Sequence, residues 1–332
     1  MKNLGGFNEV IGHEHIIEHF KNAIQLNKMS HGYILNGEES SGKSMLASAF
    51  VKTLQCEKKD INPCGQCKSC KQAETRNHPD IKWVTHEKPN SIGVDDLREQ
   101  LISDIQIKPY SSAYKIYIID EAEKMTVQAQ NSLLKTIEEP PKYGIILLLT
   151  TNAEGFLPTI LSRCAILNLK PIQNVQIKKY LMEQFKVPDY KADICVAFAQ
   201  GNLGKAIKLA SSEKFDEIKG QLVKSLKQIT IMEYSALLNL VKEMEVYKKD
   251  IYEYLDLMLV WYRDVLLFKA TNDINGLVFR EEYTSISKIA TTSSYEGLET
   301  IIGAIDKARV RLRANVNFGL AMELLLLTIK EN

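Results

Sequence analysis

The chain has 332 residues, of which 45% are hydrophobic and 25% charged, with a formal net charge of +1. That length is enough for two or three domains with real cores, and the composition is that of an ordinary soluble globular protein. The near-zero balance excludes a generally basic protein that coats nucleic acid, so any contact with DNA has to be local or shared with partners.

The opening Met-Lys-Asn-Leu-Gly-Gly has no apolar segment of signal-peptide length. The longest apolar runs, Ile194 to Ala199 and Leu257 to Tyr262, are far too short to span a bilayer. A cytoplasmic location with no membrane partner is the expectation. Residues 8–30 read as a loop followed by an amphipathic helix with Ile16, Ile17, Phe20, Ala23 and Ile24 on one stripe. Within it, His15-Ile16-Ile17-Glu18-His19 matches the H-x-x-E-H pattern of some zinc peptidases. A zinc enzyme also needs a third ligand and a cleft, and a solvated helix face is the simpler reading. Just before this helix, Val10-Ile11-Gly12 is placed to line the adenine side of a nucleotide pocket.

The pocket itself is announced by Gly37-Glu38-Glu39-Ser40-Ser41-Gly42-Lys43-Ser44. An apolar run, Tyr33-Ile34-Leu35, precedes it and a helical stretch, Met45 to Leu54, follows. Strand, glycine loop and helix are the context in which G-x-x-x-x-G-K-[ST] cradles phosphate. Gly37 and Gly42 let the backbone bend so that its N–H groups face an anion, and the helix adds the positive end of its dipole. Lys43 is then expected to reach the β and γ phosphates, and the Ser44 hydroxyl to bind Mg²⁺.

Next come Cys56, Cys64, Cys67 and Cys70. Four thiols within fifteen residues suit a tetrahedral, structural Cys₄ zinc site occupying about 56–70. The rival is an iron–sulfur cluster, although the C-x₃-C-P continuation of ferredoxin runs is missing. Cys164 and Cys195 stand alone, the latter in an apolar run that reads as core.

Asp80 to Val84 reads as a strand and Val94 to Ile105 as a helix. Lys115 to Ile119 is a buried strand running straight into Asp120-Glu121. At a strand's carboxyl end, Asp120 is placed to hold the Mg²⁺ water shell and Glu121 to orient or deprotonate an attacking water. A helix from Thr126 to Ile137 stops at Glu139-Pro140-Pro141. The strand Gly144 to Leu149 ends in Thr150-Thr151-Asn152, where Thr151 is either a sensor of the γ-phosphate or an ordinary strand-end hydroxyl. Ser162-Arg163-Cys164, a short strand Ala165 to Leu169, and Pro171 follow. Beyond Pro171 the strand signals stop, and successive amphipathic helices fill the rest of the chain.

Taken together, these motifs resemble the clamp-loader AAA+ subunits of bacterial DNA polymerase III. The markers are the phosphate loop followed by four cysteines, the stretch Asn131 to Pro141, Leu157 to Cys164, and Arg311 to Asn317 near the end. Cys56 and Cys64 are separated by seven residues where the family commonly has eight. The resemblance covers essentially the whole chain. It implies an α/β plus all-α protein: a RecA-like AAA+ P-loop domain over 1–170 carrying the Cys₄ zinc module, a small helical lid over 171–210, and a helical collar over 211–332.

Two branches of the family carry these features, the ATP-hydrolysing gamma/tau branch and the delta-prime branch. In the former the lid has G-x-x-R-x-A, whose arginine meets the γ-phosphate of its own chain. The matching stretch here is Gly201-Asn202-Leu203-Gly204-Lys205-Ala206, with glycine in place of that arginine. This favours delta-prime. In such assemblies the Ser-Arg-Cys arginine, here Arg163, enters the neighbouring subunit's ATP site as a trans arginine finger; the alternative is a surface or intradomain ion pair. Many delta-prime relatives have a degenerate phosphate loop, whereas this one is intact. Binding of ATP or ADP with Mg²⁺ is therefore expected, with weak or absent hydrolysis by the isolated chain.

The implied partners are gamma/tau-type and delta subunits, the sliding clamp through the complex, and primer-template DNA without sequence preference. Arg98, in the stretch Ile92 to Arg98, corresponds to a family arginine near the duplex backbone, or is a solvated helix residue. The competing functional readings are an ATP-hydrolysing gamma-type motor and a stand-alone AAA+ DNA remodeller.

Overall fold

The computed structural model describes residues 6–314 and 316–332. The opening five residues and Asn315, which belongs to the Arg311–Asn317 stretch, lie outside the described residues. The fold divides into two compact units, one made of the chain up to Ile177 together with Gly201–Lys205, the other of Lys178–Gln200 and Ala206–Asn332.

The first unit is built on five parallel strands: β1 (Gly32–Asn36), β2 (Ile81–Val84), β3 (Lys115–Ile119), β4 (Gly144–Thr150) and β5 (Ala165–Asn168). Their order across the sheet is β2-β3-β4-β1-β5. Within β3 and β4, residues 116–119 and 145–149 are unbroken apolar runs because helices cover both faces, and every residue of both strands is buried. Successive side chains alternate between the two layers. Leu35, Ile116, Ile118, Leu147 and Leu149 face a cluster with Phe20, Leu46 and Phe50, while Ile34, Tyr117, Ile119, Ile146 and Leu148 face one with Leu97, Leu101, Leu133 and Ile160.

The first layer holds α1 (Glu14–Gln25) and α2 (Lys43–Leu54), in which Phe20 and Phe50 stack at 4.1 Å between ring centroids. A short α3 (Lys68–Glu74) starts at Cys67. The expected helix from Val94 to Ile105 is irregular: α4 (Val94–Leu97) passes into a single π turn, Arg98–Ile102, and a 3₁₀ turn, Asp104–Gln106. The Asp104 carbonyl closes the last turn by accepting from Ile107 N at 3.0 Å and also accepts from Lys115 Nζ at 2.7 Å, and the chain leaves the helical turns there. α5 (Val127–Glu138) is capped by the Thr126 hydroxyl, which accepts from Ala129 N, and α6 (Pro158–Leu161) is one turn opened by a proline.

After β5 every regular element among the described residues is helical. The chain runs through α7 (Asn174–Phe185), α8 (Asp189–Ala199), α9 (Leu203–Ala210), α10 (Glu213–Gln228), α11 (Tyr234–Met244), α12 (Ile251–Thr271), α13 (Tyr283–Thr292), α14 (Tyr295–Arg313) and α15 (Phe318–Glu331). α12 is the axis of the second unit, packed on α10, α13 and α14 through Tyr254, Leu257, Met258, Trp261 and Val265. The buried Asp264 on it accepts from the N–H groups of Val278 and Phe279 and so pins the following loop. No helix of the described residues is long and apolar enough to cross a membrane.

One buried charge ties the β2 end of the sheet. Asp80 is 1% exposed and accepts from Tyr110 N, Ser111 N, the Ser111 hydroxyl and Ser112 N at 2.6 to 3.0 Å. Burial alone would raise its carboxyl, but these donors hold it below its ordinary value. Its contribution to stability is therefore complete above the unfolded pKa of about 3.9 and fades as pH falls through the lower folded value. Asp80→Asn puts an N–H against at least one of those donors. Urea unfolding should register a loss of about 2–3 kcal/mol and a flatter acid limb of stability; an unmoved midpoint would contradict this role.

Candidate functional site

The phosphate loop leaves β1 at Asn36 and enters α2 at Lys43. Gly42 has φ +104° and Ser40 φ +61°, both left-handed, which turns the intervening amides inward. The loop's carbonyls have their own partners. Lys43 Nζ donates to Gly37 O at 2.6 Å and Glu38 O at 2.7 Å. Asn202 Nδ2 donates to Glu39 O at 2.8 Å, and His13 Nε2 to Ser41 O at 3.1 Å. Burial pulls His13 below the usual imidazole value, so the neutral ring serves as that donor. Gly204 lies against the loop as well: a Cβ on it would stand 2.2 Å from Ser40 O.

Beside the loop is a cavity of about 520 Å³ lined by Glu39, Ser40, Gly42, Lys43, Ser44, Met45, Asp120, Glu121, Glu123 and Thr151. Ser44 Oγ donates to Asp120 Oδ2 at 3.2 Å, the pairing that two oxygen ligands of one Mg²⁺ need. Glu121, at φ +50°, points its carboxylate at Lys124 Nζ, 2.7 Å away, with His86 Nε2 at 3.8 Å. Thr151 Oγ1 donates to Glu123 Oε1 at 2.8 Å, and Thr151 N to Glu123 Oε2 at 3.3 Å. Burial lowers the Lys43 ammonium, and the neighbouring carboxylates, Glu123 first, oppose that effect.

The structure thus brings Gly42, Lys43, Ser44, Asp120, Glu121 and Thr151 around one cavity, with Gly37 at the loop's root. Val10 and Ile11 are not among its lining side chains; Val10 is buried in the apolar layer with Phe7 and Ile16. His15 and His19 part company: His15 Nε2 meets the Asn168 carbonyl at 3.0 Å, and the His19 ring packs edge-on to Phe20 and Tyr33. Among the described residues the cysteine cluster is the one group of three or more His, Cys, Asp or Glu side chains gathered as metal ligands, so the peptidase pattern has no site. Arg98 is exposed, 3.3 Å from Asp95. Glu123 and Asn202 were missed by sequence reasoning. Glu123 stands two residues after Glu121, and that spacing was its only signal. Asn202 signals itself only as a helix-capping residue, accepting from Lys205 N.

The sulfurs of Cys56, Cys64, Cys67 and Cys70 all lie within 4.8 Å of one another, Cys64 and Cys70 at 4.0 Å. Ligand sulfurs on a tetrahedral zinc stand about 3.8 Å apart, given a Zn–S bond of about 2.3 Å. Backbone N–H groups of Cys64, Cys67 and Cys70 point at the sulfurs of Cys56, Cys64 and Cys67 at 3.3 to 3.4 Å. The N–H groups of Gln66 and Cys67 draw the Cys64 thiol down to about 6. The donor set fits a structural zinc ion.

Away from the cavity, Cys164 and Arg163 take opposite directions. Cys164 is buried against β1, where a Cβ on Gly32 would meet its sulfur at 2.6 Å. Arg163 faces outward with its side chain 40% exposed. Its Nη1 donates to Thr159 O and Ser162 Oγ at 3.1 and 3.2 Å, and Nη2 sits 3.2 Å from Glu138 Oε1.

Comparison with known proteins agrees with this arrangement. Residues 12–173 match the family described as DNA polymerase III, delta subunit, and residues 213–331 its C-terminal family. The DNA polymerase III subunit delta′ of Bacillus subtilis is 31% identical over 314 residues, covering 93% of this chain and 94% of that protein. The tau subunit of the same organism is 31% identical over 82% of the chain, which spans 52% of that longer protein. The tau subunit of Escherichia coli is 34% identical over 53% of the chain and 27% of its own length. With an apolar-cored parallel sheet, a complete phosphate loop and a relative matched almost end to end, the chain belongs to the clamp-loader subunits of bacterial DNA polymerase III, of the delta-prime type.

Proposed function

We propose that this clamp-loader subunit occupies the delta-prime position and acts chiefly on a neighbour's nucleotide. Arg163 is its contribution to the reaction: a guanidinium delivered across a subunit interface stabilises charge on a phosphoryl group in transfer, which is worth orders of magnitude in rate. The observation that carries this reading is the half-exposed Arg163 side chain, held on the surface by Glu138, Thr159 and Ser162 while Cys164 beside it is buried. Gamma/tau-type and delta subunits are the partners that bear on it directly. The sliding clamp and primer-template DNA are engaged through the complex, in the cytoplasm.

In this reading residues 1–170 form the AAA+ domain, 171–210 a helical lid and 211–332 the collar. Its own pocket binds ATP or ADP, with Lys43 on the phosphates and Ser44 and Asp120 holding Mg²⁺; Val10 and Ile11, which lie outside the cavity lining, would bound the adenine side from beyond it. The magnesium ion would neutralise phosphate charge there. Glu121 would orient water if hydrolysis occurred. Its ion pair with Lys124, and the glycine at 204, support weak or absent turnover by the isolated chain. A gamma-type motor is the second reading, favoured by the Ser44–Asp120 pair.

Cys56, Cys64, Cys67 and Cys70 would hold a structural zinc. Purified chain should carry stoichiometric zinc by mass spectrometry of the metal, and Cys67→Ser should lower both that content and the thermal midpoint. Iron in place of zinc would reverse the assignment.

The finger is tested by reconstituting the complex with its gamma-type subunit. Arg163→Ala should assemble normally, yet lose about 10³-fold in DNA- and clamp-stimulated ATPase at the site it serves, and lose clamp loading with it. An unchanged rate would remove the finger. Steady-state ATPase of the isolated chain separates the two readings, since robust turnover would favour the motor.

A further inference from the structure

Thr151, the residue after β4, has two donors at the cavity, its hydroxyl and its N–H, and both are given to Glu123. The residue expected to feel a γ-phosphate is therefore already engaged, and by a negative charge. We infer that the pocket is selective for a nucleoside diphosphate with Mg²⁺ over the triphosphate, and that Glu123 is the specificity-determining residue. The inference rests on the reading that this cavity takes a nucleotide.

Three features of the cavity wall carry it. First, Glu123 shares the wall with Lys43, Asp120 and Thr151, on the side where the Ser44–Asp120 pair would place the metal between the β and γ positions. Among the described residues no Lys or Arg stands in ion-pair contact with Glu123, whose nearest cationic influence is Lys43 across the cavity, whereas Glu121 is paired with Lys124. Burial would raise the Glu123 carboxyl, but its own N–H and the donors of Thr151 and Thr150 hold it below its ordinary value, so it stays charged. Secondly, Lys43 is the single cation among the lining residues, against Glu39, Asp120, Glu121 and Glu123. Thirdly, no cation reaches in from position 204. Glycine is demanded there by the contact with Ser40 O, where even a Cβ would stand at 2.2 Å.

Against this wall the two nucleotides differ by about one negative charge, placed at the γ position. One unit charge held roughly 5 Å from an ionised carboxylate in a partly dehydrated site changes affinity by more than tenfold. The diphosphate lacks the group that would face Glu123, while its β-phosphate keeps the loop amides and Lys43. Nucleotide in this subunit would then be a resident structural filler and not a fuel.

The test is calorimetric titration of the full-length chain, stripped of nucleotide, with Mg-ADP and with Mg-β,γ-imido-ATP. ADP should bind at least about tenfold more tightly. Glu123→Gln keeps an acceptor for Thr151 and removes the charge; it should tighten the imido analogue about tenfold and leave ADP within about threefold. Equal or tighter binding of the analogue to the unaltered chain would overturn the inference, as would parallel tightening of both nucleotides by Glu123→Gln. Lys43→Ala separates the two levels. Affinity that is lost in Lys43→Ala but equal for both nucleotides refutes only the selectivity. Absence of binding by either nucleotide refutes the nucleotide-site reading and the selectivity with it.

Discussion

The Gly37 N–H donates to the Thr150 carbonyl at 3.0 Å, one step beyond the last paired residues of β1 and β4, Asn36 and Thr150. That bond carries the parallel ladder into the first residue of the phosphate loop and ties the loop to the strand that leads into Thr151. β4 is paired in turn with β3, Ile119 opposite Leu148, so Asp120 emerges beside it. All the groups that line the cavity depend on this shared edge, because a parallel sheet presents its carboxyl ends together and leaves loop residues free to converge there. The apolar layers above and below hold the register: a slip of one residue would turn Leu147 and Leu149 out of one core and into the other.

The groups gathered at that edge are unusually acidic for a place where phosphate binds. Lys43 is folded onto the carbonyls of its own loop, Glu123 holds both donors of Thr151, and Lys124 holds Glu121. Each of these is a local satisfaction of charge or hydrogen bonding, and each takes away something a hydrolysing site would use. Gly204 packs directly on Ser40 O, where a Cβ would stand at 2.2 Å, so no side chain can project from that position. A pocket can keep its phosphate loop and still be poorly suited to stabilising a triphosphate in reaction, because binding and transition-state stabilisation ask for different charges.

At the other end of β1 the same economy of space has the opposite result. Gly32 leaves room for the buried Cys164 sulfur, while the neighbouring Arg163 faces solvent. The guanidinium is then held by acceptors from α5, α6 and Ser162, which limits the directions it can take without burying it. A cation steadied in this way loses less freedom on meeting a partner than an unrestrained arginine would. An acidic cavity wall and a surface-held arginine thus each lie beside a close approach that only glycine permits, at Gly204 and at Gly32.

Much of this was legible in the residues because it is encoded locally. The loop from Gly37 to Ser44, the four cysteines, the apolar strands ending in Asp120 and Thr151, and the helical remainder are patterns of neighbouring residues. Backbone geometry and period act within a few positions, and so these patterns carried over. The helix written from Val94 to Ile105 carried over only in part, as a short α-helix followed by a π turn and a 3₁₀ turn whose Asp104 carbonyl also meets Lys115, distant in sequence. Glu123 on Thr151, Asn202 on Glu39, Gly204 against Ser40 and the outward turn of Arg163 belong to the same class. The sequence alone determined which chemical groups the protein has and which elements carry them. The tertiary structure decided which charges face one another and which face solvent, since that depends on the approach of segments such as those of Glu39 and Asn202, 163 residues apart, and no local pattern specifies it.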